Sequence, residues 1–147
     1  MRNLRKFFRL CPFERRLLLR SLSLLWISRL GLWLLPFRLL RRLLPRSTPV
    51  ASAYPAKDAA NIDRIVRALA RAAPYVPDAT CLTQAFAGQI LLAQHGIPSL
   101  LRIGLAKNPE GKLRAHAWIE SQGRILIGNS AELPYYAQLP PVERELP

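Results

Sequence analysis

Acidic residues are scarce in this 147-residue chain. Nine Asp and Glu stand against 22 Lys and Arg, for a formal net charge of +13. Cysteine and histidine are scarcer still, with two of each. Cys11 and Cys81 lie far apart in unlike surroundings, which excludes a disulfide framework. There is no CxxC or HxxxH pair. No ligand pair has the close spacing of a zinc site, so neither a metal nor another cofactor is expected. No internal repeat is visible. The N-terminal arm lacks a long uncharged run: Ser21–Ser28 and Leu30–Phe37 are its uncharged stretches. A membrane span needs about 20 such residues. Arg20 and Arg29 also interrupt the apolar run of a secretory signal, and no clear cleavage site follows. A reducing cytoplasm is the simplest compartment, with the arm at the inner membrane face as a further option.

What is abundant is unevenly placed. Residues 1–50 hold twelve of the 22 basic residues and one acid, Glu14. The basic balance thus describes an arm, and the remaining residues are nearly neutral. Half the chain is apolar, enough for about one domain. The sequence divides into a basic, Leu-rich helical arm with its linker, residues 1–50, and a domain over residues 51–147. Residues 1–46 predict one or two basic amphipathic helices, bent or ended near Gly31 and Pro36. Three roles compete for them: packing on the domain behind, lying on an anionic bilayer, or docking another protein. Nucleic acid is the weakest candidate, because no recognition motif is present.

Pro45, Pro49 and Pro55 mark the linker. Ile62, Ile65, Val66 and Leu69 then recur at helical spacing, predicting a scaffold helix over 57–73. Pro74 and Pro77 end it. Asp78 or Thr80 is placed to cap the next helix, which runs from Cys81 to about Gln94 and stops at His95-Gly96. After Gly96 the pattern changes to period two. Ser99–Ala106, Leu113–Ser121 and Arg124–Gly128 read as strands, joined by Lys107–Gly111 and by Gln122-Gly123. Three antiparallel strands packed on a helix make an α+β domain. The tail from Leu133, with Pro134, Pro140, Pro141 and Pro147, is expected to be irregular, with Tyr135 and Tyr136 closing one side.

Chemistry concentrates at Cys81. A thiol in the first turn of a helix meets unpaired N–H groups and the positive end of the dipole, which favour a thiolate nucleophile. The plainer reading is a small buried hydrophobe. His116 is the natural base, on a strand face shared with Trp118 and Glu120. Alone, it is as well explained by a strand histidine satisfied by its neighbours. Trp118 is placed either to shield the pair from water or simply to pack. His95, at a helix end, is suited to bond terminal carbonyls.

Cys81-Leu82-Thr83-Gln84-Ala85, His95-Gly96-Ile97-Pro98, Leu101-Arg102-Ile103-Gly104 and His116-Ala117-Trp118-Ile119-Glu120 together resemble the transglutaminase-like cysteine proteases of lasso-peptide biosynthesis. The resemblance spans roughly residues 58–128. It implies a papain-like core and removal of the leader from a precursor peptide through a Cys81 thioester, with His116 as base and then acid. It also implies partners: the lasso precursor peptide and the asparagine-synthetase-like cyclase that closes the ring. The arm is too short for the leader-recognition domain of longer relatives, so a separate leader-recognition protein is expected. The family commonly orients its His with an Asp. Here that region reads Ile127-Gly128-Asn129-Ser130, and Asn129 is the nearest polar candidate for the third residue. Glu120 is roughly 13 Å from His116, at about 3.3 Å per residue. For the oxyanion, the backbone N–H of Cys81 is the physical candidate. A catalytically weak or inactive scaffold of the same fold, a basic membrane-binding module and an acyltransferase are the competing readings.

Overall fold

The computed structural model describes residues 9–44 and 56–140. The Pro-rich linker read from the sequence falls on 45–55, outside the described residues, as does the end of the tail. The elements are α1 (Pro12–Leu34), α2 (Phe37–Leu43), α3 (Ala56–Ala72), α4 (Cys81–Gln94), β1 (Leu100–Lys107), β2 (Leu113–Ser121), β3 (Arg124–Ile127) and β4 (Ala137–Gln138). The strands form one antiparallel sheet in the order β3-β2-β1-β4. The fold is α+β, as the sequence pattern requires.

The arm is not separate from this body. α1 starts at Pro12, a proline in the first helical turn where no N–H is needed, and runs unbroken through Arg20, Arg29 and Gly31. By length and composition it would also suit a membrane span, which the short uncharged runs hid. Leu17, Ser21, Leu25 and Ser28 recur at i, i+4, i+8 and i+11 and are buried. The small serines let α1 approach α3 and α4 closely, and Ser21 satisfies its hydroxyl by donating to Leu17 O at 2.8 Å. Pro36 ends this helix and starts α2, whose Leu40 folds back to within 3.3 Å of the Cβ position on Gly31. Phe37 meets Phe86 of α4 edge to face, ring centroids 5.9 Å apart.

Leu17 and Leu25 thus belong to the same hydrophobic core as Ile65 and Leu69 of α3, Phe86 and Leu91 of α4, and Ile119 of β2. α4 lies at its centre. Gly88 is there because a Cβ would come within 2.3 Å of the Ile127 side chain. Ile127 pairs with Ile119, so the sheet face carrying Ala117 and Ile119 is the one packed on the helices. The β2–β3 turn uses Gln122 (φ 50°) and Gly123 (φ 71°), the pair of left-handed residues that suits a two-residue hairpin. The tail is more ordered than its prolines suggested. Leu133–Tyr135 forms a 3-10 turn, and β4 then pairs with the β1 edge, Gly104 opposite Gln138 and Leu105 opposite Ala137.

Candidate active site

Cys81 is the first residue of α4. The helix is capped by Thr80, not Asp78: Thr80 Oγ1 accepts from the Thr83 N–H at 3.3 Å. Asp78 instead sits in the turn before the cap, in the left-handed region at φ 53°. Arg29 of α1 holds that turn, donating to the Asp78 carboxylate at 3.3 Å and to Pro77 O at 3.4 Å. Gln84 braces the same loop from the helix side, Nε2 to Ala79 O at 2.9 Å. The thiol of Cys81 is half-buried at the edge of the core. Neither the Cys81 nor the Leu82 N–H has an acceptor among the described residues. Both are orphan donors of a helix N-terminus.

His116 enters from β2, which packs on α4. It stands directly across the ladder from Gly104 of β1. That glycine is a matter of space: a Cβ would lie 2.8 Å from Tyr136 Cβ and 3.0 Å from the Trp118 ring. Tyr136, delivered by the tail just before β4, and Trp118 therefore both close over Gly104 and flank the imidazole. The Trp118 ring is stacked at 6.2 Å and 22°, and that of Tyr136 is tilted at 5.5 Å and 42°. Trp118 is buried, yet lies outside the core that holds its neighbours Ala117 and Ile119. Its place is on the histidine side of the sheet.

The imidazole's own partner is a backbone atom. Nε2 of His116 lies 2.7 Å from Gly128 O. A carbonyl oxygen only accepts, so Nε2 carries the hydrogen and Nδ1 is the nitrogen left with a lone pair in the neutral ring. Nδ1 makes no hydrogen bond among the described residues. Gly128 reaches this position by leaving the ladder after Ile127 at φ 81°, pressed so close to β2 that a Cβ would fall 2.7 Å from Ala117 O. Both the backbone conformation and the space require glycine. Asn129 follows with an exposed side chain that makes no hydrogen bond to the ring. Glu120 is occupied by Arg102 at 3.2 Å. His95 bonds Leu91 O at 2.8 Å, within its own helix end.

The structure therefore joins His116, Trp118, Tyr136, Gly104 and Gly128 into one cluster and sets Cys81 at the capped helix mouth. Among the described residues no hydrogen bond joins the Cys81 thiol to the His116 ring, and strand alternation places His116 and Trp118 on the sheet face opposite the Ala117 and Ile119 face that packs on the helices. Among the described residues no cluster of His, Cys, Asp and Glu could hold a metal ion. From the sequence, Gly104 and Gly128 carry no site role, and Tyr136 carries only the general expectation that it closes one side of the domain. A backbone acceptor carries no residue signature, and the two glycines show their purpose only once register is known.

A model of the transglutaminase-like superfamily matches residues 24–140. The match begins inside α1 and takes in β4. No curated protein and no solved structure matches the chain.

Proposed function

This chain belongs to the transglutaminase-like superfamily, and we propose that within it the protein is a cysteine peptidase that removes the leader from a lasso precursor peptide. The peptidase reading is supported by a cysteine that opens a capped helix and by a histidine on the adjoining sheet whose protonated nitrogen is tied to a carbonyl; that the two act as a pair is part of the proposal. The substrate class rests on the sequence resemblance alone.

The proposed reaction requires substrate binding to bring thiol and ring together; the Cys81 thiol then gives its proton to His116 Nδ1, and Sγ attacks the carbonyl carbon of the bond after the leader. The carbonyl oxygen becomes an oxyanion, and the Cys81 N–H, which has no acceptor among the described residues, is placed to donate to it. The C–N bond then breaks, and the amine of the core peptide leaves with the proton held at Nδ1. The leader remains as a thioester on Sγ. Water attacks it, giving one proton back to Nδ1, and releases a leader carboxylate and the thiol. Throughout, Gly128 O holds the Nε2–H, so the ring presents the same face in both directions. The carbonyl of Gly128 orients the imidazole. Trp118 and Tyr136 limit water around the ring. The separate leader-recognition protein and the asparagine-synthetase-like cyclase are proposed partners, the first to present the leader and the second to consume the freed N-terminus. The proposed compartment is the cytoplasm.

A second reading is a scaffold of the same fold that holds precursor and cyclase without cleaving. It is favoured by one observation: among the described residues no carboxylate is hydrogen-bonded to His116. Incubating the protein with precursor and recognition protein, with Cys81→Ala in parallel, separates the two by mass spectrometry. Leader release by the parent alone supports the peptidase. No release by either folded protein supports the scaffold.

A further inference from the structure

The inner stripe of α1 is accounted for by the core; its outer stripe is not. Leu19, Trp26, Ile27, Leu30, Trp33 and Leu34 face away from α3 and α4 and are exposed, Trp33 by 73% and Leu34 by 67%. Between Arg20 and Arg38 the one charged residue is Arg29, and it is turned to Asp78. The outward side of the last three turns of α1 is thus apolar, Ser23 apart. α2 continues the surface. Because Leu40 folds onto Gly31, its neighbours Leu39 and Leu43 remain outside, exposed by 45% and 71%. Arginines border both ends: Arg16 and Arg20 before the apolar stretch, Arg38 and Arg42 after it, all exposed. Glu14 is the one acid in residues 9–44.

We propose that this outer face of α1 and α2 lies flat on an anionic phospholipid bilayer. A contiguous apolar surface of this kind on a soluble body calls for a cover. The charge around it has a single sign, which suits a sheet of phosphate headgroups better than the mixed polar rim of a protein interface. Trp26 and Trp33 are the amphipathic rings that settle at the headgroup boundary, and the arginine stems let guanidinium groups reach phosphates while their methylenes stay with the acyl chains. A spanning arrangement is opposed by the fold. It would pull Leu17 and Leu25 from the core and Arg29 from Asp78. Lying flat keeps all three and seats the Cys81 end of α4 at a fixed distance from the membrane through the Arg29 clasp.

The test uses the full chain with vesicles of phosphatidylcholine alone and of phosphatidylcholine with phosphatidylglycerol, by co-sedimentation and tryptophan emission. Binding to the anionic vesicles is expected to be about tenfold or more tighter, with a blue-shifted emission quenched by brominated acyl chains. Trp33→Glu/Leu34→Glu alters two exposed positions, so circular dichroism is expected to stay that of the parent while binding falls about tenfold. Arg38→Ala/Arg42→Ala is expected to lower it about fivefold per charge. Failure to bind anionic vesicles at low salt overturns the proposal. So does binding that Trp33→Glu/Leu34→Glu leaves intact, or binding without quenching by brominated chains. Absence from vesicles together with loss of a protein partner in that double variant would assign the face to the partner instead.

Discussion

His116 Nε2 lies 2.7 Å from the carbonyl oxygen of Gly128. This backbone contact holds the imidazole where an Asp side chain is expected from the family resemblance. It makes the shape of the chain at Gly128, rather than any side chain there, the element that sets the tautomer of His116.

Gly128→Ala is therefore expected to disturb both fold and ring. The new methyl meets Ala117 O at 2.7 Å with φ at 81°, so about 2 kcal/mol or more of stability should be lost in urea unfolding. The imidazole nitrogen shifts should change with it, as Nε2 loses its fixed acceptor. Asn129→Ala, at an exposed side chain that does not bond the ring, should leave those nitrogen shifts where they are.

At Gly104 the same logic runs from the neighbouring strand. Gly104→Val would drive a branched side chain into Tyr136 and Trp118. Overpacking of this kind costs about 1–3 kcal/mol, read by thermal unfolding, and the near-ultraviolet dichroism of the two aromatic rings should change with it.

The cap before Cys81 has a separate signature. Thr80→Ala removes the acceptor for the Thr83 N–H and should cost about 1 kcal/mol, while Thr80→Ser should recover most of it. By contrast the Arg29–Asp78 pair is open to solvent on its Asp78 side, so a double-mutant cycle should give a coupling of about 1 kcal/mol or less.

Much of this was legible in the sequence because it is local. The period-two runs placed β2 at Leu113–Ser121, and the proline-to-cysteine stretch placed the start of α4 at Cys81. Cap choice came down to Asp78 or Thr80, and only the left-handed turn at Asp78 decides it. Long-range relationships were not legible. Gly31 suggests a bend or an end to the arm helix, yet α1 runs on through it to Leu34, close to the end expected at Pro36, and Arg29 in its last turns is bound to Asp78. The tail's prolines conceal β4, because a two-residue edge strand has no periodicity to detect, and with it the contact of Tyr136 with His116.

Since α1 supplies part of the core, its buried and exposed leucines should differ sharply. Leu25→Ala, at a fully buried position, is expected to cost about 2–5 kcal/mol in chemical denaturation. Leu19→Ala, half exposed, should change stability by no more than about 0.5 kcal/mol. Equal effects would mean that the arm is not part of the folded unit.

The central claim is that Cys81 is a nucleophile toward a peptide carbonyl, and intact-mass measurement of the acid-quenched protein tests it most directly. After brief reaction with precursor and recognition protein, the parent chain should gain the mass of the leader less one water, through a hydroxylamine-labile bond mapped to Cys81. Cys81→Ala should gain none and release no leader. Leader release by Cys81→Ala at the parent's rate would contradict the claim, and so would a folded parent that neither carries an adduct nor releases leader.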